Sequence, residues 1–430
     1  MSHQLTRTLT ELLPQIQGYI YPNEIEVHWG LLIVVYPYIT GIVAGAFILA
    51  SLVKVFNVKE VQPLYRLSLL TALSYLLVAP LPLLSHLGHP ERSYEMFLTP
   101  QPSSAMAMFG FVYAWYLMAV LLIEIWFVYR TDMIAWSDEE SGAMKWIHKV
   151  LALFSRDRSE SAVRFDHKAL KTITIIGIPS AFLLHGYVGF IFGSVKANPW
   201  WSSVLMPIAF LFSAIVSGVA LVILLYMVIT PLTGGKINMK CVDKAVDFLF
   251  YVVIVDFTLE FVDFIHRIYQ SEEEIKILSE MVMSKLFMSL VIIQVLLGMV
   301  LPLGIIGVTK IFKKRFTLNE DLRKMLYFIS VLLIQFGIFT MRWNVVIGGQ
   351  MFSKSFRGLT TYKMEITGIE GLIYTLVLLA LPLVILAVLM KILPPWKEMR
   401  EEEDIEGGAP GVIRAPEGRS LTLLKALDVL

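Results

Sequence analysis

Long apolar runs, set apart by short polar and charged clusters, organise this chain from residue 29 to residue 393. A bilayer core of about 30 Å is crossed by roughly 20 apolar residues in helical form. Nine stretches meet that length: Trp29–Phe56, Tyr65–Leu84, Ser104–Tyr129, Ala169–Val195, Trp201–Leu232, Val246–Tyr269, Leu286–Phe312, Met325–Trp343 and Leu372–Leu393. Acidic residues interrupt the sixth. The pattern predicts an all-α polytopic membrane protein with about nine transmembrane helices. Residues 28–195 read as a first four-helix bundle with a cytoplasmic loop at 130–168, residues 200–345 as a second four-helix bundle, and residues 371–393 as a ninth helix. An outward N-terminal segment (1–27), an outward loop (346–370) and a cytoplasmic tail (394–430) complete the chain.

Composition fits that reading. Of 430 residues, 57% are apolar and 17% charged, and mean hydropathy is +0.69. A soluble chain carries about 25% charged residues. The net charge of +1 supplies no basic field for nucleic acid. One cysteine, Cys241, forbids an internal disulfide, and an iron–sulfur cluster needs about four thiolates. The first residues show no basic-then-apolar leader design, so the first helix is expected to target and anchor the chain. Lys and Arg divide unevenly between the two sides. With nine spans, 26 of the 36 fall on one side and 10 on the other. The positive-inside rule makes the first side cytoplasmic, with the N-terminus outside and the C-terminus inside.

The long basic loop holds an amphipathic stretch, Ala143–Phe154, with Met144, Ile147, Leu151 and Phe154 at helical spacing. It suits either a helix lying on the membrane or a docking surface for a cytoplasmic partner. A weak internal repeat joins Ile42-Val43-Ala44-Gly45-Ala46 to Ile215-Val216-Ser217-Gly218-Val219. Small residues let membrane helices approach closely.

Ionisable groups inside a span are costly and point to function. The sixth span carries Asp256, Glu260, Asp263 and His266, whose spacing of 4, 3 and 3 sets them on one face. They suit proton exchange, or a structural network satisfied by hydroxyls and water. His185 lies in the outer half of the fourth span, followed by Tyr187. It is either functional or a hydrogen-bonded packing residue. Glu124, toward the inner end of the third span, reads as a step of a proton path or as a snorkelling carboxylate. Gln294 and Gln335 read as helix–helix hydrogen-bonding groups. Two outward loops combine turn residues with polar side chains. One runs Ser85-His86-Leu87-Gly88-His89-Pro90-Glu91-Arg92, the other Arg342-Trp343-Asn344-Val345-Val346-Ile347-Gly348-Gly349-Gln350 with Ser353-Lys354-Ser355. Arg92, Arg342, Asn344, Gln350 and Lys354 are thereby candidates for partner docking.

The Arg342–Gln350 segment, its Ser353-Lys354-Ser355 continuation and the His86–Arg92 turn resemble the NrfD/PsrC family of membrane quinone-reactive subunits. His89 stands where the family's Leu-Gly-Arg-Pro turn has arginine. The stretch from His185 to Gly193, through Pro199-Trp200-Trp201, is most similar to the DsrP-type subgroup of sulfite-reduction-associated complexes. The resemblance implies two four-helix bundles, a quinone site near the outer face within the first bundle, and no redox metal in this chain. Carried over by position, the quinone-contacting candidates are His86, His185 and Tyr187, with Tyr36 or Tyr38 on the first helix. Asp256, Glu260, Asp263, His266 and Glu124 would form a proton path.

The expected function is electron exchange between menaquinone or menaquinol and an outward ferredoxin-like iron–sulfur subunit, in sulfur-compound respiration at a prokaryotic cytoplasmic membrane. A multihaem cytochrome c and further membrane subunits are possible companions. His185, Asp256 and Glu260 are the candidates for moving protons, because such groups can be tuned toward neutrality. Three other readings remain, one of them a purely structural anchor that would tolerate loss of every buried acid. A haem b-binding cytochrome subunit would need paired histidines at membrane depth, and would show a Soret band. A proton-coupled transporter would move solute with no redox partner.

Overall fold

The computed structural model describes residues 27–101, 103–270, 275–315, 318–352 and 359–396. The N-terminal segment, Lys354 and the tail beyond Trp396 lie outside the described residues. The described residues form helices joined by short loops. These are α1 (Leu31–Lys54), α2 (Gln62–Val78), α3 (Ala105–Glu139), α4 (Gly142–Leu151), α5 (Glu160–Gly193) and α6 (Met206–Leu232). They continue with α7 (Met239–Gln270), α8 (Ile275–Ser284), α9 (Phe287–Arg315), α10 (Glu320–Gly348) and α11 (Leu372–Ile392). Three helices contain π-wound stretches: Trp115–Leu121 in α3, Phe287–Val300 in α9 and Asn344–Gly348 at the end of α10.

Among the described residues, eight helical segments are long and apolar enough to cross a bilayer. They correspond to the expected spans apart from the sixth. That one is α7, a helix of 32 residues whose acids keep it outside the apolar set. It is long enough to cross, since a rise of about 1.5 Å per residue gives some 48 Å.

Local chemistry sets several helix ends. Ser159 caps α5, its hydroxyl accepting from the Ala162 N–H at 3.3 Å, with Glu160 in the first turn. Asn319 caps α10 in the same way. The expected loop after Arg342 is instead helix. Val345, Val346 and Ile347 are buried, and the π winding leaves carbonyls that two tryptophans take up. The Trp200 indole donates to the Asn344 carbonyl at 2.9 Å and the Trp201 indole to the Val345 carbonyl at 2.6 Å. Apolar sequence and satisfied carbonyls carry the helix on to Gln350.

α1 lies at the centre. It is apolar on every side, and all its residues are buried except Tyr38, Leu52 and Lys54. It packs on α2, α5, α6, α10 and α11. Its closest neighbour is α6, and the two segments of the internal repeat meet there. A Cβ on Gly45 would lie 2.8 Å from the Gly218 Cα. Only glycine permits backbones this close. α11 by contrast buries little beyond Thr375, Leu378, Pro382 and Leu386, and presents the rest of its apolar surface outward.

Gly218→Leu is expected to destabilise the solubilised chain by more than about 3 kcal/mol, because overpacking here must separate two backbones. Gly88→Leu meets nothing within 4 Å and is expected to leave the melting temperature unchanged. Thermal unfolding in detergent compares the two.

Candidate functional site

The polar groups buried in the spans form a chain across the α1–α6 contact. Thr40, on α1, donates its hydroxyl hydrogen to the Tyr36 carbonyl at 3.0 Å. The same oxygen lies 3.3 Å from His185 Nδ1, on α5. Its hydrogen is already committed, so Nδ1–H is the donor there. On the other side of the ring, Arg342 Nη2 lies 3.1 Å from Nε2. Arginine can only donate, so Nε2 accepts. Two independent contacts thus assign one tautomer to His185. Arg342 also donates to Ser213 Oγ on α6 at 2.7 Å, and its guanidinium sits 4.2 Å over the Phe210 ring. The ring of His185 stacks on the same phenylalanine at 5.8 Å. Thr40 and Ser213 each stand five residues before the touching glycine of their repeat segment. α1 and α6 thus carry hydroxyls at matched positions, one contacting a histidine and the other an arginine.

Arg342 is fully buried, and Asp256 and Glu260 are the acids that interact with it electrostatically. Gln294 donates to Glu260 Oε2 at 2.8 Å and accepts from the Asn344 amide at 2.7 Å. Both oxygens of Asp256, one of Glu260 and the Asn344 oxygen are buried without a hydrogen-bond partner. The expected acidic stripe thus divides. Asp256 and Glu260 face the Arg342 cluster. Asp263 instead pairs with Arg267 and Ser203, near the loop that leads into α6. His266 is half-buried, its Nδ1 unpartnered.

Near the N-terminal ends of α1 and α3 and the C-terminal end of α5, Tyr36 meets Phe109 edge-on at 5.3 Å, and Tyr187 stacks on the same ring at 6.4 Å. The Tyr36 hydroxyl is buried without a partner. That of Tyr187 lies against the Phe109 backbone and makes no hydrogen bond of normal geometry. Phe109 also lines a cleft of about 320 Å³, between the end of α2, the Arg92–Gln101 loop and the start of α3. Arg92 lines the same cleft, clamped to Glu95 by two 2.9 Å bonds.

Other candidates lie elsewhere. Tyr38 donates to Gln335 on α10 at 2.7 Å and does not join Tyr36. His86 faces Glu370 at 2.6 Å, toward the start of α11, and does not line the cleft. Glu124 accepts from Thr174 at 2.9 Å and Tyr65 at 3.3 Å, deep between α2, α3 and α5. Arg342 and Asn344 are not at the surface where a docking role would need them. Gln350 engages both backbone groups of Trp29 through its amide, at 2.9 Å each. Sequence reasoning puts Arg342 at a loop because a charge ends an apolar run. The apolar Val345-Val346-Ile347 after it is the signal that the helix continues. Thr40, Ser213 and Phe109 carry no signal, being ordinary residues of membrane helices.

A family model described as polysulphide reductase, NrfD matches residues 22–354, which include every group above except His86's partner Glu370. The chain belongs to the polysulphide reductase NrfD family. Three curated relatives agree. A selenate reductase subunit from Mesobacillus selenatarsenatis is 32% identical over 74% of this chain and 73% of its own length. A putative dimethyl sulfoxide reductase membrane subunit from Halobacterium salinarum is 29% identical over 45% of this chain and 42% of its own length. Protein NrfD of Escherichia coli is 26% identical over 46% of this chain and 58% of its own length. This NrfD-family chain is thus similar to membrane subunits of reductase complexes. Among its described residues, no three His, Cys, Asp or Glu side chains are grouped to hold a metal ion.

Arg342→Met is expected to cost about 3–5 kcal/mol, the usual consequence of deleting one member of a buried charge cluster. Arg342→Lys keeps the charge but loses the forked donors, and should fall between. Melting temperatures of the purified variants test the order.

Proposed function

We propose that this chain is the quinone-reactive membrane subunit of a reductase complex. It exchanges electrons between menaquinol and a neighbouring ferredoxin-like iron–sulfur subunit. The observation that carries the reading is the pair of buried tyrosine hydroxyls, Tyr36 and Tyr187, which flank Phe109 from behind the cleft that Phe109 lines. A buried hydroxyl without a partner is costly. Two of them around one aromatic wall suit a flat ring with a carbonyl at each end. Arg92 and Glu95 stand at the cleft's polar margin.

Quinol oxidation releases two electrons and two protons. A chain with one cysteine builds no cluster to keep the electrons, so the neighbour accepts them. The protons fall to this chain. His185 has one free choice, since Nδ1 already carries hydrogen. It takes a proton at Nε2, where Arg342 now donates, so uptake and the Arg342 contact exclude each other. Asp256 and Glu260, with oxygens awaiting partners, take the next step, and Asp263 and His266 continue that face of α7. Glu124 lies on the inward side, between Tyr65 and Thr174.

The uneven distribution of Lys and Arg supports an outer cleft, an outside N-terminus and a cytoplasmic C-terminus, in a prokaryotic cytoplasmic membrane. The sulfur and selenium reductases among the relatives support an oxidised sulfur anion such as sulfite as terminal acceptor. The halves that meet at Gly45 and Gly218 support two four-helix bundles, 28–195 and 200–345, the cleft belonging to the first.

In the assembled complex, with a soluble menaquinol analogue as donor, Tyr36→Phe and Tyr187→Phe should each slow reduction of the iron–sulfur partner by about tenfold. His185→Ala should slow it by about 100-fold, in the range of a lost proton-transfer group. Full turnover by the Tyr36→Phe, Tyr187→Phe double variant in an intact complex would remove the cleft from the reaction.

A further inference from the structure

α4 does not cross the bilayer, and two rulers fix its level. The Trp126 indole, on α3, donates to the Leu151 carbonyl at the end of α4, at 3.0 Å. Trp126 stands 19 residues below Ala107, where the α3 span starts. At 1.5 Å per residue this is about 28 Å, the thickness of a hydrocarbon core. His148, within α4, bonds the Ile392 carbonyl at 2.8 Å. Ile392 ends α11, and its 21 residues also span about 30 Å. Both measures put α4 at the same boundary of the membrane.

His148 and Ala152 are buried against the spans, and His148 is also tied to Glu140 at 2.6 Å. The opposite side of α4 and the turn after it are open. Trp146, Ile147, Val150, Leu151, Leu153 and Phe154 are all exposed, Leu153 at 71%. Water would not favour that surface. Moreover Leu153 and Phe154 have φ of 51° and 57°, left-handed backbone that usually falls to glycine. The turn is not slack. The Phe154 N–H bonds the Lys149 carbonyl at 3.0 Å. Just beyond, buried Arg130 holds the Asp157 carbonyl at 2.7 Å and Asp166 at 2.8 Å. The chain thus accepts backbone strain to project two large apolar side chains. The apolar surface also continues onto the spans, through Trp126 beside Phe127 and Phe127 beside Phe165. Lys145, Lys149, Arg156 and Arg158 flank it, and Lys149 lies over the Trp146 ring at 5.4 Å.

We propose that α4 and the Leu153–Phe154 turn form a wedge seated in the adjacent membrane leaflet, with the flanking Lys and Arg on phosphate headgroups of anionic lipid. A basic fringe around an exposed aromatic and aliphatic face is the chemistry of an interfacial helix. It also matches the leaflet beside the chain's basic loops. A protein partner would need to cover a surface that is continuous with the lipid-facing spans.

The test places a nitroxide label at Phe154→Cys, and separately at Leu153→Cys, in the full chain. The native Cys241 is buried and takes no label. The chain is reconstituted in vesicles of phosphatidylcholine with phosphatidylglycerol. The expected result is a label open to oxygen and closed to a nickel chelate, severalfold more so than a label at Arg158→Cys. A label open to both probes places the turn in water, and a label closed to both places it under protein. Either overturns the wedge. Omitting phosphatidylglycerol should make the label shallower. With Lys145, Lys149, Arg156 and Arg158 all changed to Gln, that difference should vanish. A depth indifferent to lipid charge in the unchanged chain overturns the headgroup contact.

Discussion

A guanidinium keeps its charge under any condition the cell offers, so a buried arginine dictates what surrounds it. Arg342 is fully enclosed, and it must collect acceptors from whatever lies near. It finds the Ser213 hydroxyl on α6 and the imidazole of His185 on α5, with Asp256 and Glu260 of α7 within electrostatic reach. This one group fixes the tautomer of the histidine and links α5 and α6, beside the place where α1 and α6 touch at glycine.

Much of this could be read from the letters. Apolar runs of about 20 residues marked the eight segments that are long and apolar enough to cross a bilayer, and a sixth run interrupted by acids marked α7. The face shared by Asp256 and Glu260 follows from 3.6-residue periodicity, and His185 stood out as a charge-capable group in an apolar run. Pairing was not legible. Nothing in spacing tells that Tyr36 shares Phe109 with Tyr187 while Tyr38 turns to Gln335, because two residues along a helix rotate a side chain to a different neighbour. Nor could spacing divide the acidic stripe, since Asp263 is claimed by Arg267 one turn along. Arg342 shows the limit most sharply. A charge after an apolar run signals an exit from the membrane in most chains, and here the apolar Val345-Val346-Ile347 beyond it and the tertiary partners together reverse that reading.

Membership of the NrfD family sets these details in a reductase complex, and the coarse architecture agrees with it. The matched region ends close to the end of α10. α11, with most of its surface outward, lies beyond it. The elements that build the buried polar chain are thus those the family shares, and the segment outside the match joins through contacts such as Glu370 with His86, Tyr374 with Ser85 and the Ile392 carbonyl with His148.

The π-wound stretch of α3 has a mechanical meaning. Bonds from i to i+5 turn the chain less per residue than α-helical bonds do. Across Trp115–Leu121 the helix therefore lags in rotation, and the residues below it are aimed differently than uninterrupted winding would aim them. Phe109 above and Glu124 below both look inward, one toward the aromatic cleft and the other toward Thr174. A single rod thereby aims two side chains inward at different depths, and tightening its coil by one residue would turn one of them away from its partners.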